Sequence, residues 1–271
     1  MFARLTAIAG IVLMATAAPA LAATCSNSGA GFDGFKKEFA RYAASNGIGK
    51  RGLRELARTK YSSGVIKFDR KVNAGFRRAA KKGNFARYYA KKTKGLKAPA
   101  LRQLRKNRKL FDSIERRYGV QREVIAAIWG TETIFGNYTG KNDVLTSVAS
   151  LAHDCRRSEW FRGHLLAALK IVDKGWMKRS QMKGARHGEI GQVQFMPTSY
   201  VRYAVDYNGD GRRDLKNSRA DALASVANFL RRHGWQPMGS YAPGTRNFAV
   251  LKEWNASSAV QNTIAKFAAS L

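Results

Sequence analysis

The stretch Arg122-Glu123-Val124-Ile125-Ala126-Ala127-Ile128-Trp129-Gly130-Thr131-Glu132-Thr133-Ile134-Phe135-Gly136 carries the pattern that decides the fold. Its apolar residues recur at helical spacing, and Ile125, Ile128 and Trp129 fall on one side of a helix. Glu132 follows them by seven, four and three residues, so it shares their face. A glutamate there is either buried with a partner or looks into a cleft floored by apolar groups. Burial disfavours the ionised carboxylate and raises its pKa, as a general acid at neutral pH requires. The plainer alternative is an inert, half-exposed glutamate at the edge of an apolar stripe.

Working outward, the pattern stays helical in both directions, and the chain reads as mainly α with little sheet. Phe35, Phe39 and Tyr42 mark an amphipathic helix over 32–45, and Leu53, Leu56 and Ala57 a short second one. Residues 76–92 are helix-compatible, with Gly83-Asn84 as a break. Leu104, Phe111, Ile114 and Tyr118 form one stripe that stops at Gly119. Further helices are predicted near 145–153, 158–173, 197–204, 218–233 and 257–269. The segments 183–191 and 206–217 read as loops. No run of period two is long enough for a substantial sheet, and no internal repeat is present.

The amino terminus sets the compartment. Arg4, an apolar run from Leu5 to Ala18 and the small residues of Pro19-Ala20-Leu21-Ala22-Ala23 form a signal peptide over 1–22. That run is shorter than the roughly 20 residues a membrane span needs. Thr24, not glycine or alanine, precedes Cys25, which argues against a lipid anchor. The mature chain is expected to be soluble and periplasmic. In an oxidising compartment its two cysteines, Cys25 and Cys155, point to a disulfide closing a long loop, worth about 4–5 kcal/mol in the entropic model.

Lys and Arg number 49 against 18 Asp and Glu, a formal charge of +31. The excess is concentrated between Lys36 and Arg117, in runs such as Arg77-Arg78, Lys81-Lys82, Lys91-Lys92-Thr93-Lys94 and Arg102-Gln103-Leu104-Arg105-Lys106. A face of this kind binds polyanions. Nucleic acid is disfavoured for an exported chain, which leaves anionic cell-wall or envelope surfaces. A merely solubilising face is the alternative. The chain divides into a basic helical region (23–117), a core (118–235) and a carboxy-terminal segment packing back on it (236–271).

Most glycosidases use two carboxylates about 5–9 Å apart. Asp143 and Asp154, the acids nearest Glu132 downstream, sit in no evident paired motif. One carboxylate suffices when the substrate brings its own nucleophile, as an N-acetylated sugar does.

Trp129-Gly130-Thr131-Glu132-Thr133-Ile134-Phe135-Gly136 resembles the W-G-x-E-T-x-[YF]-G segment of the membrane-bound lytic transglycosylase B family of murein-degrading enzymes. The resemblance continues through Leu151-Ala152-His153-Asp154, Arg156-Arg157, Gln194-Phe195-Met196-Pro197-Thr198-Ser199-Tyr200, Tyr203 to Gly211, Asp221 to Asn228, and His233-Gly234-Trp235. Trp254-Asn255-Ala256-Ser257 looks like its closing motif. The resemblance implies a lysozyme-like helical fold of the goose-lysozyme type, and peptidoglycan glycan strands as substrate. It implies non-hydrolytic cleavage with release of 1,6-anhydromuramic ends. Glu132 matches the catalytic acid/base. Gln194, Phe195, Met196, Tyr200, Phe229 and Asn255 fall on substrate-contacting positions.

Three residues depart from the family pattern: Ala185 replaces a serine that in relatives helps hold the glutamate, Phe229 a tyrosine, and Val260 a tyrosine near the last helix. Each change removes a hydroxyl. Glu189 and His187 are ionisable residues that the pattern lacks; Glu189 reads first as a loop residue in solvent, and alternatively as a second carboxylate that would favour hydrolysis. Two alternatives therefore stand beside the transglycosylase: a non-catalytic cationic peptidoglycan-binding protein on the same fold, and a hydrolytic muramidase recruiting Glu189.

Asp206, Asn208 and Asp210 offer oxygens at positions 1, 3 and 5 of an EF-hand-like loop, with Gly211 at position 6. Position 12 is Asn217 instead of glutamate, and Asp221 is the candidate to complete the set. Arg212 and Arg213 lower cation affinity. A weak structural Ca2+ is thus a candidate ligand, and no cofactor is required for the chemistry. Ser218-Arg219-Ala220-Asp221 also reads as a capping box, and the loop as a tight turn held by Asx hydrogen bonds.

Overall fold

The computed structural model describes residues 24–81 and 85–271, with backbone alone over 73–81. The expected signal peptide lies outside the described residues, as do the side chains of Arg77, Arg78, Lys81 and Lys82. Six helices precede the glutamate helix: α1 (Phe32–Ser45), α2 (Lys50–Ala57), α3 (Ser63–Lys81), α4 (Phe85–Thr93), α5 (Lys97–Lys106) and α6 (Arg108–Tyr118). The glutamate helix is α7 (Arg122–Thr133). After it come α8 (Val144–His153), α9 (Ser158–Asp173), α10 (Pro197–Tyr203), α11 (Arg219–Arg232), α12 (Arg246–Trp254) and α13 (Ser258–Ala268). The described sheet is one antiparallel pair, β1 (Asn142–Asp143) with β2 (Lys183–Gly184).

Helix α7 is the centre of the molecule. Its residues from Val124 to Thr131 are all buried, and α5, α6, α11 and α13 pack around it. A helix that is apolar nearly all round is stable only when enclosed in this way. It ends abruptly, because Ile134, Phe135 and Gly136 all take positive φ (52, 58 and 86°). Gly130 permits the reversal: a Cβ there would stand 2.7 Å from the Phe135 ring, which folds back over it and meets Trp129 edge-on at 5.3 Å. Thr133 locks the turn. Its hydroxyl donates to the Gln192 carbonyl at 2.5 Å and accepts the Gly136 N–H at 2.9 Å.

The basic helices are part of this body. α1, α2 and α3 pack on α8, α2 also on α9, and α4 on α13. Phe32 and Phe35 bracket the His153 ring at 5.4 and 5.2 Å. Cys25 is bonded to Cys155, which ties the described amino terminus to the loop after α8.

Four local expectations differ from the structure. The stripe from Leu104 to Tyr118 belongs to two helices divided at Asn107, whose side-chain amide donates to the Gln103 carbonyl (2.9 Å) while its oxygen accepts from Arg219 (2.8 Å). Tyr42 is 45% exposed, off the buried face it shares by spacing. The first half of α3 and the whole of α12 were not expected. α12 is short, and it begins where the Thr245 hydroxyl accepts the Phe248 N–H (3.3 Å). The capping box at α11 is half made: Ser218 accepts the Asp221 N–H (3.2 Å), but the Asp221 carboxylate is committed elsewhere.

Candidate active site

Glu132 lies in the last turn of α7 and opens into a cleft of about 390 Å³. Protein surrounds its carboxyl on every side but the cleft, where it keeps partial contact with solvent. Burial is the largest influence on it and raises its pKa, and the charge of Glu189 adds to the rise. The carboxyl end of a helix carries partial negative charge and works in the same direction. Two groups oppose them, the Lys92 ammonium on α4 and the Trp254 indole on α12. The Trp254 Nε1–H donates to Glu132 Oε1 at 3.3 Å. The net effect is a raised pKa, which extends to higher pH the protonated state in which a carboxyl can give a proton to a leaving oxygen.

The cleft loop between β2 and α10 is held against α7 through Gln192. Its Oε1 accepts the Trp129 indole N–H (3.1 Å), its Nε2 donates to the Lys216 carbonyl (3.0 Å), and its backbone N–H donates to the Leu215 carbonyl (2.8 Å). Gly191, with φ 74°, lets this loop pass; a Cβ would come within 2.4 Å of the Leu215 carbonyl oxygen. Gln194 also takes a positive φ (52°) and borders the cleft. Its amide donates to the carbonyls of Gly191 (2.7 Å) and Thr139 (3.3 Å), which fixes its orientation.

Phe195, Met196, Phe229 and Asn255 border the same cleft. The Phe195 and Phe229 rings pack against Trp254 at 5.6 and 5.2 Å and so hold the indole that reaches Glu132. Tyr200 is different. It has no exposed surface, its hydroxyl donates to the Arg213 carbonyl (2.7 Å), and it does not border the cleft. Its neighbour Ser199 does, because a step of one residue turns a helical side chain from the cleft to the core.

Several cleft residues were not singled out from sequence. Asp69, 3% exposed, receives Arg156 and Arg157, and His187 Nε2 lies 3.1 Å from it. Trp160 is 50% exposed at the cleft and stands edge-on to His164 at 4.1 Å, with the Arg157 guanidinium 5.2 Å from its ring. Burial lowers the pKa of His164 to about 4, so it is a neutral support at neutral pH. Tyr88 on α4 also feels the charge of Glu132. Of the replaced hydroxyl positions, Ala185 holds the cleft loop through its N–H to the Glu189 carbonyl (3.1 Å), and Val260 is half-buried against the core.

In the acidic loop, Asp206, Asp210 and Asp221 each present an oxygen within 4.8 Å of the others. Their carboxylates already serve the backbone. Asp206 accepts from Gly209, Asp210 and Gly211 (2.8, 3.1 and 2.7 Å), and Asp221 from Tyr207, Asn208 and Asp214 (2.9, 3.3 and 2.9 Å). Asn217, at the twelfth position, turns its amide to Asp214 (2.8 Å). The Asn208 amide donates to Asp210 (3.2 Å).

A mainly helical body, built round one enclosed helix that delivers a protonatable glutamate to a cleft, is the lysozyme-like architecture. Within that class, the family model of the Transglycosylase SLT domain matches residues 31–244, and the chain belongs to that family. It is 41% identical over 119 residues to membrane-bound lytic murein transglycosylase B of Escherichia coli K12, a match covering 44% of this chain and 33% of that protein. Its shared segment thus spans a third of the length of that curated relative. SltB3 of Pseudomonas aeruginosa, solved in complex with NAG-anhNAM-pentapeptide, superposes with a TM-score of 0.78 at 25% identity, over 88% of this chain and 79% of that one. The Escherichia coli lytic transglycosylase Slt35 in complex with calcium shares the fold, with a TM-score of 0.71 at 22% identity over 87% and 91% of the two chains.

Proposed function

We propose that the chain is a peptidoglycan lytic transglycosylase in which Glu132 is the acid and then the base. The observation that carries this reading is the position of Glu132: a carboxyl held toward its protonated state by burial, at the floor of a cleft, with one indole N–H to stabilise the anion once its proton has left. Glu132 gives its proton to the oxygen leaving C1 of MurNAc, while the sugar's own N-acetyl oxygen bonds to C1. The Glu132 carboxylate then takes the proton of the C6 hydroxyl. O6 bonds to C1 and the N-acetyl oxygen leaves, closing a 1,6-anhydro ring and restoring the acid. The bound fragments of SltB3, NAG-anhNAM-pentapeptide and NAG-NAM-pentapeptide, support this substrate class.

Gln194, Met196 and Asn255 are proposed to bind the glycan, with Trp160 offering an exposed ring face to a sugar. Digestion of purified sacculi tests the reading. The native protein should release anhydromuramic ends, and Glu132→Gln should lower their release by at least about a hundredfold. Binding without products would favour the non-catalytic protein instead.

Three further properties are proposed. Asp206, Asp210 and Asp221 fit a weak Ca2+ site, because their oxygens converge although most already accept an N–H, and Asn208 stands beside Asp210 as a fourth candidate ligand. The ion would tie the loop to α11 and take no part in the chemistry. Export to the periplasm is supported by the leader at 1–22 and by the cysteine pair. Among the described residues no helix is long and apolar enough to cross a membrane. The basic helices are proposed to hold the protein at anionic wall or envelope surfaces, an attachment that salt weakens.

A further inference from the structure

The cleft contains a second carboxylate whose setting differs from that of Glu132. Glu189 lies on the cleft loop, and its side chain is 24% exposed. One of its oxygens accepts the His187 backbone N–H at 3.1 Å, and the other lies 3.5 Å from His187 Nδ1. Its main chain is anchored as well, because its carbonyl accepts the Ala185 N–H and the next residue, Ile190, bridges both Gly184 and Phe195. This carboxylate is oriented by a peptide group and an imidazole, yet it remains open to cleft water.

The other acids of the cleft are placed differently. Asp69 is buried and consumed by two guanidinium groups, and Glu253 sits exposed on the rim beside Trp254. No hydrogen bond joins Glu132 to Glu189 among the described residues, yet the charge of Glu189 still reaches Glu132 as the weakest of the four influences on it. The two groups are therefore separate but neighbouring, in a cleft of about 390 Å³, against about 30 Å³ for one water. An enclosed acid and an oriented, partly exposed carboxylate sharing one cavity match the two roles that an inverting hydrolase needs.

We propose that Glu189 is a second catalytic residue, a general base that gives this site a hydrolytic branch beside anhydro-ring formation. Glu189 takes a proton from a cleft water, and the water oxygen bonds to C1 of MurNAc on the face opposite the leaving group. The C1–O4 bond breaks, and its electron pair takes the proton of Glu132. The product is a reducing MurNAc end of α configuration, and the proton held by Glu189 passes through solvent to the Glu132 carboxylate. This branch shares with the proposed transglycosylase only the role of Glu132 as acid.

Sacculi digested in heavy-oxygen water, reduced with borohydride at short times and analysed by mass spectrometry separate the branches. Hydrolysis puts one heavy oxygen on a new reducing end, whereas transglycosylation makes anhydro ends without label. The native protein should give both. In Glu189→Gln the ratio of labelled to anhydro ends should fall by about a hundredfold, the worth of a general base, and Glu189→Asp should recover part of it. Early labelled ends should be α by NMR. The proposal is overturned if native protein makes anhydro ends alone, or if Glu189→Gln leaves the ratio unchanged. Loss of labelled ends in Glu253→Gln instead would also overturn it. Labelled ends without anhydro ends, lost in Glu189→Gln, would retain Glu189 as the general base and defeat the transglycosylase reading.

Discussion

Replacing Trp254 by phenylalanine removes the indole N–H that Glu132 Oε1 accepts at 3.3 Å. Most of the ring packing stays, because Phe195 and Phe229 contact Trp254 through its aromatic face and edge at 5.6 and 5.2 Å. A hydrogen bond to a charged group contributes about 1.5–3 kcal/mol, and the long donor distance places this one at the lower end. About 1.4 kcal/mol corresponds to one pKa unit. The bond favours the anion, so its loss raises the Glu132 pKa further. The acid must be protonated to act, and its deprotonation sets the alkaline limb of the pH–rate profile. In Trp254→Phe that limb should therefore move up by about one unit, while turnover falls at pH values below the limb, where a harder-to-form anion must still act as base. Initial rates of anhydro-end release from pH 4 to 9 measure both. A limb that stays in place, or moves to lower pH, refutes the claim that Trp254 stabilises the ionised acid.

Glu132→Gln should raise the melting temperature at pH 7 more than at pH 4, measured by calorimetry. The folded pKa of Glu132 is raised, so its contribution is intact below the unfolded value of about 4.3 and is lost as pH climbs through the folded value. Replacing Cys25 and Cys155 by serine removes a cross-link between residues 130 apart, worth up to about 5 kcal/mol, which urea titration would read. Asp69→Asn leaves Arg156 and Arg157 without their anion; because these side chains keep 28% and 39% exposure, the cost should be about 2–3 kcal/mol, below that of a fully buried pair. Millimolar Ca2+ should raise the melting temperature, and Asp210→Ala, which spares the N–H bonds made by Asp221, should abolish that rise.

Helix α7 was legible because enclosure and periodicity act within a dozen residues. Glu132 carries its own signal in its offset from Ile125, Ile128 and Trp129. The groups that set its chemistry carry no such local signal, although Trp254 stands in the closing motif. Trp254 stands 122 residues away on a helix too short to announce itself, and Asp69 meets Arg156 across 87. Gln192 lies two residues before the motif that begins at Gln194, yet it ties α7, the cleft loop and the acidic loop together. Tyr200 shows the opposite error, since a motif groups neighbours in sequence that a helix then turns to opposite sides. The capping box failed for a related reason, because Asp221 has three backbone donors within reach that only the folded loop supplies.

The division of the chain into a basic amino-terminal region and a core needs revision on the same grounds. Asp69 and Val72 of α3 border the cleft, and Lys92 of α4 is the strongest of the groups drawing Glu132 toward its anion. A basic region that served only to hold the protein at a wall could be removed without touching the chemistry. This one could not: without α4, burial and the end of α7 would act on Glu132 against Trp254 alone, and the acid would be harder to ionise for the second role, as base, proposed for it. Without Asp69, the Arg156–Arg157 pair would repel itself beside the cleft. Charge that looks like a surface property in the sequence thus reaches the carboxyl of Glu132, and α3 and α4 belong to the cleft as well as to the proposed attachment surface.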